Sequence, residues 1–467
     1  MADRWVIPLR EVMSGISPRA PLNQNMPTAY LLNDFRVSEA GLQKIIFSGI
    51  AAAQTATPEY GRLVLENGYR LLNGVTHVAN FDGQWLWRLL SGSMVFDGAT
   101  VAMPSVGFFG YNGSLVIPNV PGDGKFLLTA PGRLPLSPWV EGLTTGISTT
   151  IDYAAALPVG AMAFSLEDSV DVRLAHRHGS GLLVYGDQSV SVFLLAEVIA
   201  QTRLPIPGIL SGRAAAGDGE WAYCVGQDKN LWGIENGKVR NLGFGYLWQN
   251  ATRAFLSFVR ETGDLFIVLD EGETGALVNP RGFLYNKGLS ELSIGILDAI
   301  FDPIQGIVGL TEDGDIVRIS GVNDGLGPDY DWALWDTGAE IVVPTRTPDL
   351  STTFTDLGTG LIKTISGVEA VMTPCWPIYV RVSSIEPGSA TIGTDDVAVT
   401  AVHPTGELSV AGYKFRMDFW FEYGSEFFIT ELRLHIQAED LRGIYAVAQN
   451  PSIANSRDLA LRESWTR

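Results

Sequence analysis

The sequence predicts an all-β fold: a β-propeller of about six blades over residues 61–330, an extended N-terminal leader over 1–60, a β-sandwich-like module over 331–450 and a C-terminal tail over 451–467. Three observations predict it. Short apolar stretches alternate at period two and break at Gly-, Asn- and Asp-containing turns, the pattern of antiparallel meanders whose successive side chains face opposite sides of a sheet. That unit recurs along the chain without close identity between copies. Glycine (52) and proline (24) are abundant, and long stretches of helical periodicity are almost absent.

The segment EWAYCVGQDKNLWGIENGKVRNLG, Glu220 to Gly243, shows the unit clearly. Tyr223 and Val225 alternate with smaller or polar neighbours, Gln227 to Asn230 interrupt them, Leu231, Trp232 and Ile234 resume, and Asn236-Gly237 precedes Val239 and Leu242. Asn-Gly supplies the positive φ of a tight hairpin turn, so the segment reads as three short antiparallel strands. HVANFDGQWLWRLLSGSMVFDG, from His77 to Gly98, repeats it. Further copies are VGFFGYNGSLVIPNV, HRHGSGLLVYGDQSVSVFLLA, AFLSFVRETGDLFIVLDEG and AIFDPIQGIVGLTEDGDIVRISG. Most gaps between the turns near Gly83, Gly113, Asp187, Asp228, Gly263 and Gly314 match a blade period of about 40–50 residues. The wide gap from Gly113 to Asp187 leaves room for a degenerate blade around Thr149 to Phe164. Such sheets cannot bury both faces alone, so they stack radially around an axis. A large β-sandwich with regular hairpins is the alternative.

Ahead of the blades, the prolines of PRAPLNQNMPTAYLLNDF block helix and central strand alike. They predict a leader that runs over a surface and has no core of its own, so that deleting residues 1–25 spares the fold and weakens assembly. GRLVLENGYRLLNG, Gly61 to Gly74, is a hairpin with an Asn67-Gly68 turn, expected to close the ring by pairing with the first or last blade. After Asp329 the strands lengthen, ending in VAVTAVHPTGELSVAGYKFRMDFWFEYGSEFFITELRLHIQAED. They predict the sandwich-like module, with Phe415, Phe419 and Phe421 on one face. SIANSRDLALRESWTR, with weak helical spacing of Leu459, Leu461 and Trp465, reads as a disordered tail.

The formal net charge of −19 lies in the body of the chain, which carries 28 acidic against 17 basic residues over 61–330 and 16 against 7 over 331–450. High-affinity phosphate binding needs clustered Lys and Arg that displace counterions. No basic stripe is present, which argues against a sequence-specific nucleic-acid reader; the acidity serves solubility equally well. Charged residues make up 18% of the chain and mean hydropathy is +0.15, an apolar excess of the kind that neighbouring subunits bury. Cys224 and Cys375, in apolar β-type surroundings, read as buried thiols rather than a bridge, as in a reducing cytosol. Asp3 and Glu11 stand where a signal peptide needs a basic start and an apolar run. No apolar stretch reaches the roughly 18 residues of a membrane span.

The places where chemistry could reside are few. His176 and His178, two apart, share a face of one strand at a spacing compatible with metal ligation. Without a carboxylate or cysteine partner they read as structural. Asp324, Asp329 and Asp331 in NDGLGPDYD lack the regular oxygen spacing of a calcium loop. Gly122-Asp123-Gly124-Lys125 falls far short of a phosphate-binding loop. No catalytic, cofactor-binding or metal residue is assigned, and no cofactor is expected.

Several segments, taken in order, resemble a known family. APLNQNMPTAYLLNDF followed by FSGI is similar to the Leu/Asn/Pro-rich start and following Gly-Ile of the tail hub or nozzle proteins of short-tailed bacteriophages, also called packaged-DNA stabilisation proteins. ENGYRLLNG resembles the opening strand of that family. GLLVYGDQSVSVFLLA, followed by PIPGILSGRAAAGDGEWAYCVGQDKNLWGIENGKVRNLG, resembles its succession of apolar strand, Gly-Ser/Asp turn, second strand, Ile-x-Gly segment and a blade ending in Gly. The likeness spans most of residues 15–330, with a vaguer match to about Leu441. It implies a non-enzymatic virion protein, assembled in the host cytoplasm, that forms a ring of six copies below the portal and adaptor. Such a ring extends the DNA channel, retains the packaged double-stranded genome until ejection, and meets the head-to-tail adaptor above and needle, tip, spike or fibre proteins elsewhere. Two other classes remain open: a propeller enzyme acting on glycans, and a propeller platform for protein binding.

Overall fold

The computed structural model describes residues 4–437 except 10–11, 18–27, 39–40, 51–54, 82–83, 91–92, 97–98, 103–108, 112–113, 119–124, 129–161, 196–198, 236–237, 271–274, 279–287, 320–344, 358–361, 374–376, 386–391, 400–404 and 422–426. The described residues are almost wholly β, and their only helices are two single 3-10 turns, Val12–Ser14 and Pro58–Tyr60. None is long and apolar enough to cross a membrane. The chain forms two compact units: Met1–Ser48 with Ala276–Ser293 and Ile319–Arg467, and Gly49–Gly275 with Ile294–Arg318.

The strands open with β1 (Arg4–Pro8), β2 (Ala29–Leu32), β3 (Phe35–Ser38), β4 (Gly41–Lys44) and β5 (Phe47–Ile50). A hairpin follows, β6 (Arg62–Leu65) and β7 (Tyr69–Leu72). The first blade is β8 (Val75–Phe81), β9 (Gln84–Leu89), β10 (Ser93–Phe96) and β11 (Ala99–Ala102). The second is β12 (Phe109–Tyr111), β13 (Ser114–Pro118), β14 (Lys125–Leu128) and β15 (Met162–Ser165). The third is β16 (Val172–His178), β17 (Gly181–Gly186), β18 (Val190–Leu195) and β19 (Ile199–Leu204). The fourth is β20 (Ala215–Gly217), β21 (Trp221–Val225), β22 (Leu231–Glu235) and β23 (Lys238–Gly243). The fifth is β24 (Ala254–Val259), β25 (Asp264–Leu269), β26 (Gly275–Val278) and β27 (Leu289–Leu292). The sixth is β28 (Ile296–Asp302), β29 (Gly306–Thr311) and β30 (Ile316–Ile319), to which β5 adds the fourth strand.

These are the blades of a β-propeller. The second strand of a blade is covered on both faces, so its sequence is apolar at consecutive positions: β17 (GLLVYG) is buried throughout, and β25 (DLFIVL) is buried at all but its last residue. The fourth strand is an edge, and β23 (KVRNLG) is largely exposed and polar, which discourages further pairing. The Glu220–Gly243 segment holds β21, β22 and β23, the three strands expected there, with β20 added ahead of them.

Two expectations change. The Gly61–Gly74 hairpin pairs with neither the first nor the last blade but forms a two-stranded sheet of its own. The strand that completes the last blade is β5, FSGI, from the leader. The hairpin fills the ring differently. Its alternating side chains are apolar on both faces, so Leu63 packs with Val308, Leu310 and Ile316 of the sixth blade, while Val64 and Leu72 pack with Val75, Val78 and Trp87 of the first. The innermost strands thus follow one another as β6, β8, β12, β16, β20, β24 and β28. Of the degenerate blade expected around Thr149 to Phe164, residues 149–161 lie outside the described residues, and Met162–Ser165 pairs with β14 as the outer strand of the second blade.

The other unit adds β31 (Leu350–Thr352), β32 (Lys363–Thr373), β33 (Ile378–Ile385), β34 (Ile392–Val399), β35 (Thr405–Gly412), β36 (Lys414–Phe421) and β37 (Phe428–Gln437). One sheet runs β3-β4-β37-β32-β35, with β1 also on β37, and the other runs β2-β31-β36-β33-β34. Phe415, Phe419 and Phe421 are all fully buried on β36. Phe35 of the first sheet meets Phe421 of the second edge-on, with centroids 5.6 Å apart. The described residues among 1–60 supply strands β1 to β5, and several of them are core residues: Ile7, Leu9, Val12, Ile16, Leu32 and Phe35 are buried. Their prolines do not prevent this because Pro8, the one proline within β1 to β5, is the last residue of its strand, where the ladder requires least of its missing N–H.

Candidate functional site

The two histidines singled out by spacing lie on β16, in the third blade. Burial is the main force that drives the His176 imidazole down to about 3, with the neighbouring His178 adding to it and Asp218 opposing. The His176 Nε2 is hydrogen-bonded to the Tyr185 hydroxyl at 3.2 Å. A Cβ at Gly217 would stand 2.9 Å from that nitrogen, so the β20 backbone closes over it. The His178 ring is buried, its pKa lowered mainly by that burial, and its Nδ1 has no hydrogen-bond partner among the described residues. No group of three or more His, Cys, Asp or Glu among the described residues could hold a metal ion. Asp324, Asp329, Asp331, Gly122 to Gly124 and Cys375 lie outside the described residues, and Lys125 begins β14. Cys224 is a buried free thiol whose pKa is pushed well up, mainly by burial and secondarily by Asp228.

A second polar centre was not singled out by any sequence motif. Arg62, the first residue of β6, donates from Nη1 to the Gly61 carbonyl at 2.7 Å and from Nη2 to the Thr76 carbonyl at 2.7 Å. Arg213, in the turn before β20, donates to the carbonyls of Glu59 at 3.1 Å and Leu297 at 2.7 Å. Arg62 Nη1 also lies 3.4 Å from the Glu59 carbonyl, so both guanidinium groups face the same 3-10 turn. Asp298 sits at a register shift in β28, and such an irregularity re-aims a strand side chain;. Its Oδ2 accepts the Leu63 N–H at 2.8 Å, and its Oδ1 lies 3.3 Å from the Ser257 hydroxyl and 3.7 Å from Arg213.

Electrostatically the centre carries two cations and one carboxylate. The Arg213 pKa is pushed down to about 9, first by burial and then by the charge of Arg62, with Asp298 opposing. Arg62 is lowered by burial, again opposed by Asp298. The Phe255 ring lies 5.2 Å from the Arg213 guanidinium. Arg213 also accepts the Leu256 N–H at its own carbonyl. It therefore ties together the fourth, fifth and sixth blades and the β6 hairpin. Only the tertiary structure brings these residues together, since Arg62 and Asp298 are remote in sequence and each alone looks like an ordinary surface charge.

No protein-family model matches the chain, and no curated protein matches it. Among solved structures, it is similar to the β-propeller domain of Cps50 (Swd1) from Myceliophteria thermophila, at 9% identity and a TM-score of 0.39, covering 60% of this chain and 100% of that one. It is similar to a luciferin-regenerating enzyme at 11% identity and a TM-score of 0.32, covering 60% and 96%. The computationally designed Ika8 protein is similar at 12% identity and a TM-score of 0.32, covering 53% and 71%.

Proposed function

We propose that this protein is a structural subunit of a short-tailed bacteriophage virion, built in the host cytoplasm into a six-copy nozzle or hub ring below the portal and adaptor. One observation carries the reading. The segments that resemble the nozzle family in order help to complete this fold: AYLL is β2, FSGI is the strand that finishes the last blade, and ENGYRLLNG holds the turn and second strand of the hairpin that packs between the last and first blades. A propeller closed by a strand of its own leader is a rigid shape, as each of six subunits packed around a channel requires. In this role the subunit extends the DNA channel, retains the genome, and contacts the head-to-tail adaptor and needle, tip, spike or fibre proteins.

DNA must slide through such a conduit without being held, and each Lys or Arg on a phosphate adds counterion-release affinity and hence a barrier to movement. The chain's net charge of −19 suits a wall that is acidic or neutral. At physiological salt, with a Debye length of about 8 Å, repulsion acts only near such a wall and centres the duplex. Mass spectrometry of purified virions tests the role directly, together with imaging of the tail: the protein is expected as a ring below the adaptor. Its absence from virions, or a lumen lined mainly by Lys and Arg, overturns the reading. Activity of the isolated monomer on capsular or cell-wall polymers favours a glycan enzyme instead.

A further inference from the structure

We propose that Arg62 and Arg213 form a binding site for a small oxyanion, seated in the propeller between the β6 hairpin, the turn before β20 and the start of β28. This inference is independent of the virion role. A guanidinium has five N–H donors in a plane and stays charged in a protein. Arg62 and Arg213 each use their Nη groups on backbone carbonyls, and the Nε–H of neither makes a hydrogen bond with the described residues. Carbonyls satisfy donors but cancel no net charge. The one carboxylate beside the pair, Asp298, stands 3.7 Å from Arg213 and already accepts the Leu63 N–H.

A ring staple alone explains this arrangement poorly. Arg213 ties the 3-10 turn to β28 and Arg62 ties it to β8, but neutral carbonyls would serve a single cation as well, and setting two side by side adds repulsion inside a poorly solvated region. Two guanidinium groups converging on one turn, with unused donors and an uncancelled positive charge, are what bidentate recognition of a carboxylate or phosphate oxyanion requires. The side chains of Arg213 and Asp298 keep 15% and 16% exposure, so the centre is not sealed at every atom. The chemistry common to both anion types is two or more oxygens sharing negative charge.

The full-length protein is titrated with inorganic phosphate and, separately, with acetate, at constant ionic strength set by sodium chloride. Melting temperature is read in both arms and phosphorus-31 linewidth in the first. A saturable rise in Tm with at least one anion is expected, and the two arms tell a tetrahedral anion from a carboxylate. Arg213→Gln is expected to abolish it. Asp298→Asn keeps an acceptor for the Leu63 N–H while removing the competing charge, and is expected to tighten binding about tenfold. No saturable response in the native protein, or a response that Arg213→Gln leaves intact, overturns the proposal. Should Arg213→Gln not fold, the Asp298→Asn affinity decides: tighter binding supports the site, and unchanged or weaker binding overturns it.

Discussion

The propeller and the sandwich are both antiparallel, yet they are assembled on different principles. Each blade is made of consecutive strands, so its pairings are short-range, and the sixth alone borrows a strand from afar. The sandwich is made from both ends of the chain: Arg4–Pro8 lies against Arg433–Gln437, and Ala29–Leu32 against Leu350–Thr352. Both interiors bury charged groups. The sandwich buries Lys44 against Asp349 at 3.1 Å, and Lys363 against the Tyr413 carbonyl at 3.1 Å. Turn chemistry sets the register of adjacent strands, whereas a remote strand needs some other means of finding its place. A buried charge that pairs across remote segments, as Lys44 does with Asp349, helps to supply it;.

The strongest way to break this comparison is to remove the leader. Deleting residues 1–25 removes β1 and the buried Ile7, Leu9, Val12 and Ile16. Losing each such side chain costs about 2–5 kcal/mol, so the four together cost about 8–20 kcal/mol, as much as the roughly 5–15 kcal/mol that holds a domain together. The sandwich should unfold while the propeller persists, reversing the sequence-based expectation that this deletion spares the fold. Urea titration with limited proteolysis checks this, and a deletion variant with an intact sandwich contradicts it.

Next in size is the buried pair. Asp349 also accepts from Arg346 at 2.9 Å and from the Phe421 N–H at 2.9 Å. Asp349→Ala should cost about 3–5 kcal/mol by leaving the Lys44 ammonium uncompensated, and the double variant with Lys44→Met should recover much of that. Denaturant midpoints of both variants decide it. If the single variant costs no more than an exposed ion pair, the pair does not fix the position of β4.

The hairpin offers a sharper test within the propeller. Leu63→Ala should cost about 2–5 kcal/mol and speed amide exchange in β28 and β29, whereas Val64→Ala should act more mildly and on β8 and β9. Exchange that quickens equally on both sides would mean that the hairpin does not have two separate faces.

Effects of pH separate the two regions. Both His176 and Lys363 have folded pKa values below their unfolded ones, so between the two values the unfolded chain binds more protons and stability rises with pH. For His176 the window runs from about 3 to the ordinary 6.5: its contribution is full above 6.5 and lost as pH falls through that window. For Lys363, lowered to about 8 mainly by burial with Asp356 opposing, stability is gained as pH rises from about 8 to 10.5. His176→Phe should flatten the acid limb of the propeller, and Lys363→Met the alkaline limb of the sandwich. Thermal melts across pH check both, and unchanged limbs would remove these groups as the cause.

The sequence by itself determined what depends on neighbours along the chain. Asn67 and Gly68 take φ values of 56° and 107°, as an Asn-Gly turn demands. Leu63 and Val64 point to opposite faces because adjacent strand residues must, and Phe415, Phe419 and Phe421 share a face for the same reason. Only the tertiary structure decided which edges meet. FSGI does not show by its composition that it completes the sixth blade, nor does RWVIP show that it lies on β37, because a strand edge offers the same backbone donors and acceptors to any partner. The choice among partners is made by the side chains that the pairing buries. The polar centre of the propeller was hidden on the same grounds: the charges of Arg62, Arg213 and Asp298 become unusual only when folding removes their water and sets two cations beside one carboxylate.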